Sequence, residues 1–147
     1  MITDSAPLNR GRIFVVSLLA LFTAGAAVSL RAATAMHMRA DYLDALDPGR
    51  AGEMIGTVLG SAFAGFAVTL FLVSAVLAKI GFGRALAAAA ALLIAGFILV
   101  AFAGSLGVSP YTGLLIGMVV QGFGWGLVET VINPLTSALY PDDRVAR

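Results

Sequence analysis

The sequence predicts an all-α membrane protein with four transmembrane helices. Its 147 residues are 60% hydrophobic and 12% charged, with a mean hydropathy of +0.98, whereas soluble domains carry about 25% charged residues. Four uncharged runs reach the length of about 20 residues that a helix needs to cross the hydrocarbon of a bilayer. We therefore expect the lipid bilayer to surround this chain.

Charge and turn signals set the expected bounds of each segment. These are 1–12 for a cytoplasmic N-terminal tail, 13–36, 54–78, 85–103 and 111–139 for the four helices, and 140–147 for a cytoplasmic C-terminal segment. The first run exceeds the hydrophobic part of a secretory signal peptide, and Arg31 stands where the cleavage site would be, so we expect a retained helix. The Gly, Ser and Pro residues of 104–110 separate the last two helices.

Basic residues close to membrane spans are retained on the cytoplasmic side, and this predicts the orientation. With the N-terminus inside, the inner segments carry Arg10, Arg12, Lys79, Arg84, Arg144 and Arg147, and the outer segments carry Arg31, Arg39 and Arg50. We therefore expect a multi-pass protein of the cytoplasmic (inner) membrane with both chain ends inside. The acidic residues between the first two spans are expected on a solvated outer loop that turns at Asp47-Pro48-Gly49.

Composition also argues against several classes of function. A formal net charge of +1 gives no basic surface for nucleic acid. The chain has no cysteine and a single histidine, His37, so we expect no metal site and interpret His37 as a loop residue. Because no nucleophile can be paired with a base, we expect neither an enzyme nor a cofactor.

The fourth helix carries a polar face. With about 100° of rotation per residue, this face combines Trp125, Glu129, Asn133 and Thr136 with Gly122 and Gly126, whose small size lets another backbone approach closely. The opposite face is apolar and is expected to meet lipid; it consists of Val120, Phe123, Leu127, Val131 and Leu135. The polar face is therefore expected to look into a helix bundle or a water-filled cavity.

Glu129 is the centre of the candidate site. An ionised side chain deep in a bilayer costs at least about 2.5 kcal/mol, so its presence favours a solute- or proton-binding role, with Gln121 and Trp125 as further substrate contacts. Pro134 lacks an N–H and leaves the carbonyl of Thr130 free to accept a hydrogen bond. The alternative is that an Arg or Lys of another helix neutralises Glu129, which then only fixes packing.

Arg31 also has two interpretations. It lies at the outer end of the first span, where its side chain could reach water by snorkelling. Alternatively, it is a cation that faces the cavity and either holds an anionic group of the substrate or pairs with Glu129. We include it among the substrate-binding candidates.

Small and hydroxyl-bearing residues repeat at four-residue spacing on the second helix. The stripe Gly52-Gly56-Gly60-Ala64, like the pairs Gly113-Gly117 and Gly122-Gly126, predicts close helix packing. A second stripe, Thr57-Ser61-Gly65-Thr69, has two interpretations: it lines the same cavity as Glu129, or its hydroxyls bond to their own backbone, as Ser and Thr often do.

Two segments resemble a known family of transporters. Residues 126–141, GLVETVINPLTSALYP, are similar to the fourth helix of major facilitator superfamily transporters, in particular the fucose:proton symporter branch. Residues 60–86, GSAFAGFAVTLFLVSAVLAKIGFGRAL, are similar to the second helix and the cytoplasmic loop that follows it. The resemblance implies the first four helices of the superfamily's N-terminal bundle. It also implies that Glu129 is a substrate-contacting acid beside the helix-breaking pair Asn133 and Pro134.

The chain departs from the family pattern in places. The loop between its second and third helices keeps Gly83 and Arg84 but has Lys79 near the usual acidic position. Its first helix lacks the carboxylate that fucose-type members use for proton coupling, so proton coupling is not implied. Because the superfamily works with twelve helices in two halves, we expect this chain to be an N-terminal portion that packs against the remaining transporter helices.

The sequence supports three hypotheses for function. The leading one is the N-terminal part of a secondary active transporter that moves a small polar solute, such as a sugar, with Glu129 as a cavity-facing acid. The second is a self-contained four-helix protein that dimerises as a small multidrug exporter. The third is a non-transporting assembly or scaffold protein in which Glu129 only fixes packing.

Overall fold

Helices make up nearly all of the structure. The computed structural model describes residues 9–139, and over this range the chain forms five α-helices and no strand. They are α1 (Arg10–Met38), α2 (Ala51–Ser74), α3 (Leu77–Ile80), α4 (Phe82–Ala101) and α5 (Pro110–Leu139). The all-α class predicted from the sequence is therefore confirmed.

Four of the helices are long and apolar enough to cross a membrane. These spans are Arg10–Leu43, Ala51–Ser74, Phe82–Ala101 and Pro110–Ser137. Their outward surfaces carry large apolar side chains such as Phe22, Phe71 and Ile94, which suits a surface covered by lipid. The chain thus has the architecture of a multi-pass membrane protein, as predicted.

The first helix is longer than expected. α1 begins with a hydrogen bond of 3.1 Å from the N–H of Arg12 to Oδ1 of Asn9, and it continues beyond Met38 into a π-helical turn, Arg39–Leu43. The expected outer loop therefore starts as helix, and the assignment of His37 to a loop is wrong. The predicted turn is confirmed, because Oδ1 of Asp47 accepts hydrogen bonds from backbone N–H groups just beyond Pro48.

The second helix is shorter than expected. α2 ends at Ser74 rather than at residue 78, and two residues separate it from the four-residue α3. Gly81 then joins α3 to α4 with φ of +84°, a backbone conformation that residues with a Cβ rarely adopt. This glycine allows α4 to begin at Phe82, three residues before the expected start.

Helix α5 lies at the centre of the bundle. It packs along α2 on one side and along α4 on the other, whereas α1 contacts α5 and α2 over shorter stretches. Buried residues form one cluster that includes Ala24, Leu77 and Leu135 and a second that includes Leu43 and Leu114. The two clusters lie toward opposite ends of the bundle. We call the end where α1 begins the Arg10 end, and the end where the π-helical turn finishes the Leu43 end.

Glycines allow the backbones of neighbouring helices to touch. A Cβ atom at Gly122 would overlap the carbonyl oxygen of Ala62 on α2, and one at Gly117 would lie 3.2 Å from the carbonyl oxygen of Gly96 on α4. The predicted close packing at Gly113-Gly117 and Gly122-Gly126 is therefore confirmed. Such contacts replace side-chain interdigitation in membrane helices, where lipid is as apolar as leucine.

Two predictions about exposed faces are wrong. Leu127, Val131 and Leu135 were assigned to lipid, but they are only 7%, 0% and 9% exposed, and they belong to a buried cluster with residues of neighbouring helices. In contrast, no other described atom lies within 4 Å of a Cβ built at Gly56 or Gly60. The Gly52-Gly56-Gly60-Ala64 stripe of α2, which was predicted to pack closely, therefore faces away from the bundle.

Candidate functional site

Trp125 lies at the middle of α5 and contacts residues of both α1 and α2. Its ring stacks on Phe66 with a centroid distance of 4.1 Å and meets the edge of Phe63 at 5.5 Å. The guanidinium carbon of Arg31 lies 5.7 Å from the ring centroid, within the range of a cation–π interaction. The indole N–H donates to Oε1 of Glu129 at 3.4 Å. We call these five residues the Trp125 cluster.

Arg31 is buried inside the bundle. Its side chain is 6% exposed, and twelve residues, about 18 Å of helix, separate it from Leu43 at the end of the π-helical turn. This burial of Arg31 contradicts the snorkelling interpretation, in which the side chain reaches water. Within residues 9–137 the ion pairs are Arg39–Asp44 and Arg50–Glu53. Trp125, rather than a direct ion pair, links Arg31 to Glu129.

A cavity of about 230 Å³ lies on the Leu43 side of the Trp125 cluster, between α1, α4 and α5. We call it the Gln121 cavity. Its polar lining consists of Arg31, Thr34, His37, Asp41, Tyr42 and Gln121. Gln121 is 1% exposed, and its Oε1 and Nε2 together with Nη1 of Arg31 are buried without a hydrogen-bond partner among the described residues.

The position of Gln121 follows from the contact between α4 and α5. Gly96 of α4 leaves room for the Cγ of Gln121, which would overlap a Cβ at this position. The side chain of Gln121 therefore passes close to the α4 backbone and lines the cavity. Thr34 and Tyr42 were not recognised as lining residues, although Thr34 lies one helical turn after Arg31 on the same face. The misplaced end of α1 explains only Tyr42, because Thr34 lay within the predicted helix.

A second cavity, of about 490 Å³, lies on the Arg10 side of the cluster; it is open to the surface, and its lining residues Asn133 and Pro134 are exposed. We call it the Asn133 cavity. Its lining from α5 comprises Glu129, Thr130, Asn133 and Pro134, and α2, α3 and α4 complete it with Leu70, Ser74, Leu77, Ala78 and Phe82. The hydroxyl of Thr130 donates to the carbonyl of Gly126 at 2.7 Å. The polar groups available to a solute here are therefore mainly the carboxylate and the amide.

The hydroxyl stripe of α2 does not line either cavity. The hydroxyls of Thr57, Ser61 and Thr69 donate to carbonyls of α2 itself, at 3.0, 2.7 and 2.9 Å. Thr69 is buried against Gly126, where a Cβ would lie 2.7 Å from the Cβ of the threonine. Of the two interpretations of this stripe, the structure therefore supports bonding of the hydroxyls to their own backbone, and the buried end of the stripe serves helix packing.

The predicted loop residues lie apart from the cavities. Lys79 is in α3, and Gly83 and Arg84 are in the first turn of α4; all three are exposed at the Arg10 end. Among the described residues, no three His, Cys, Asp or Glu side chains are grouped as metal ligands would be. Candidate chemistry is thus concentrated at the two cavities.

The structure brings the predicted site residues into two groups that Trp125 connects. Trp125 contacts Arg31, which lines the Gln121 cavity. It also contacts Glu129, which lines the Asn133 cavity together with Asn133 and Pro134. A substrate-binding role for these residues stays a prediction. Comparisons of the chain with protein-family models, with curated proteins and with solved structures gave no match. The functional argument therefore depends on the geometry of the site.

Proposed function

We propose that this chain forms part of a pathway for a small polar solute across the membrane, as the N-terminal part of a secondary active transporter of the major facilitator type. One observation carries the proposal: Trp125 contacts a lining residue of each of two cavities that lie toward opposite ends of the bundle. Secondary transporters bind their solutes near the middle of the membrane and expose the site to each side in turn.

The charged residues support the same proposal. Arg31 and Glu129 lie within two membrane-spanning segments that contact each other, and intramembrane charges of this kind commonly mark solute or ion pathways. Arg31 supplies donors, Glu129 supplies acceptors, and the Gln121 amide supplies both. This combination suits a solute that carries several hydrogen-bonding groups. A purely structural role would leave the buried amide and guanidinium atoms without partners, at a cost in stability.

Uptake measurements on the complete reading frame that encodes this chain test the proposal. We expect Glu129→Gln to lower the uptake rate of the transported solute at least about tenfold, which corresponds to the loss of one charge-assisted hydrogen bond. Glu53→Gln, at an exposed carboxylate of α2, is the matched control and should leave uptake unchanged. Equal uptake by wild type and Glu129→Gln would assign Glu129 to packing. Absence of uptake for every polar solute tested would favour the scaffold hypothesis.

A further inference from the structure

The Gln121 cavity contains an unbalanced positive charge. Buried charges in proteins are normally paired and buried polar atoms are normally hydrogen-bonded. Arg31 departs from this rule, because its Nη1 has no partner among the described residues and no carboxylate lies within ion-pair distance. Asp41 is the carboxylate that lines the cavity, and it is exposed. The buried end of the cavity is therefore electrostatically suited to an anion.

The donor and acceptor set defines the anion more closely. A guanidinium presents its N–H groups in a planar fork that matches a carboxylate. Gln121 adds a donor at Nε2 and an acceptor at Oε1, and both atoms lack partners. Since both are free, the argument does not depend on which way the amide is turned. The acceptor requires a group that donates, such as a hydroxyl next to the carboxylate.

The volume of the cavity suits a small solute. Since a water molecule occupies about 30 Å³ in the liquid, a cavity of about 230 Å³ holds about seven groups of that size. A three-carbon hydroxy acid has about this number of non-hydrogen atoms, whereas a disaccharide is much larger. Among the described residues that line the cavity, Arg31 is the only arginine, and there is no lysine. A second carboxylate on the solute would therefore find no second strong cation.

We propose that the Gln121 cavity binds a small 2-hydroxy monocarboxylate, with the carboxylate on Arg31 and the hydroxyl donating to Oε1 of Gln121. This inference rests on the proposed function, because it names the class of solute that the pathway carries. The ring of Trp125 backs the guanidinium and holds it in place. The cation–π contact leaves the charge of Arg31 available, since an aromatic ring does not neutralise it.

Three small molecules separate the contributions of the two solute groups. D-Glycerate has both the carboxylate and the hydroxyl, glycerol lacks the carboxylate, and propionate lacks the hydroxyl. We measure their binding by isothermal titration calorimetry to the complete protein in lipid nanodiscs. Glycerate is expected to bind at least about 10-fold more tightly than either of the others, because each of them loses one hydrogen-bonded group.

Variants then assign the preference to residues. Arg31→Gln is expected to weaken glycerate binding about 10- to 100-fold and to leave glycerol binding unchanged. Gln121→Glu keeps the shape of the side chain but places a negative charge beside the carboxylate, so it should also weaken glycerate selectively. This second variant keeps the test valid if Arg31→Gln does not fold. Arg39→Gln, at a partly exposed arginine of the π-helical turn, is the matched control and should bind glycerate like wild type.

The outcomes distinguish this inference from the proposed function. Equal affinity for glycerate and glycerol, or glycerate binding that survives both Arg31→Gln and Gln121→Glu, would overturn the assignment of a hydroxy acid. Uptake of a neutral polar solute that depends on Glu129 would still support the proposed function in that case. Selective loss of glycerate binding in both variants would support the inference, even if the rate of uptake were low.

Discussion

The contact between α2 and α5 at Gly122 makes a quantitative prediction. A Cβ at this position would overlap the carbonyl oxygen of Ala62 and would lie 2.9 Å from the carbonyl carbon of the same residue. It would also lie 3.0 Å from the backbone nitrogen of Phe66. Because all three atoms belong to the backbone, no rotamer change can relieve the overlap. Gly122→Ala must therefore move the two helices apart, and overpacking of this kind costs about 1–3 kcal/mol.

Gly56→Ala is the matched control. Both glycines are helical, so both substitutions gain about 1 kcal/mol of helix propensity, and the difference between them isolates the helix contact. At Gly56 the added methyl group meets open space. We expect Gly122→Ala to be about 1–3 kcal/mol less stable than Gly56→Ala.

The assay is reversible unfolding by sodium dodecyl sulfate in mixed micelles, followed by intrinsic fluorescence. Trp125 is the single tryptophan of this chain, and its ring stacks on Phe66. Separation of α2 from α5 is therefore expected to change the folded-state emission in Gly122→Ala but not in Gly56→Ala. If both variants unfold with the same free energy and show the emission of wild type, the close approach of the two backbones is refuted.

Three further predictions concern single contacts. Trp125→Phe and Glu129→Ala, made singly and together, are expected to show a coupling of about 0.6 kcal/mol in the same unfolding assay; additive effects would mean that the indole and the carboxylate do not interact. Pro134→Ala restores a backbone N–H inside α5 and is expected to stabilise the protein by up to about 3 kcal/mol; an unchanged free energy of unfolding would contradict this. Gly81→Ala is expected to cost about 1–3 kcal/mol, because φ is +84° there. Gly83→Ala, at a helical position with open space, should cost nothing, and equal losses at both positions would disprove the backbone explanation.

Hydropathy predicted the number of spans but not where the helices end. The bilayer-length criterion detects apolar runs, whereas a helix requires only that its backbone groups be hydrogen-bonded. The helical structure of the first span therefore continues beyond α1 through the π-helical turn Arg39–Leu43, into polar sequence. The break between α2 and α3 is at Ala75 and Val76, which carry neither a glycine nor a proline signal. Nothing in the local sequence distinguishes this turn from the helix on either side.

Helical periodicity predicted which residues share a face but not what covers that face. It placed Gly122 and Gly126 correctly on a close-packed surface of α5. It also assigned Val131 to lipid, although helices cover it completely, because an apolar side chain is equally compatible with lipid and with a neighbouring helix. The rotation of α2 about its own axis, which turns Gly65 inward and Gly56 outward, depends on the whole bundle.

Some residues of the candidate site could be identified from the sequence, but the contacts between them could not. Polar residues in an apolar span are conspicuous, so Glu129, Asn133 and Arg31 could be found from the sequence. Their connection through Trp125 could not, because it requires the relative heights of α1 and α5. Tyr42 was missed because it falls in a segment that was assigned to a loop, whereas Thr34 lay within the predicted first helix and was not recognised beside Arg31.

The glycine contacts also bear on how this protein can move. α2, α4 and α5 touch through backbone atoms, and contacts of this kind resist sliding because even a small shift creates an overlap. We expect these three helices to behave as one rigid body. α1 is held by fewer contacts, and it supplies Arg31 and much of the wall of the Gln121 cavity. Sliding of α1 along this rigid body would change the shape of the Gln121 cavity. The Asn133 cavity, which is built from α2 to α5, would keep its shape.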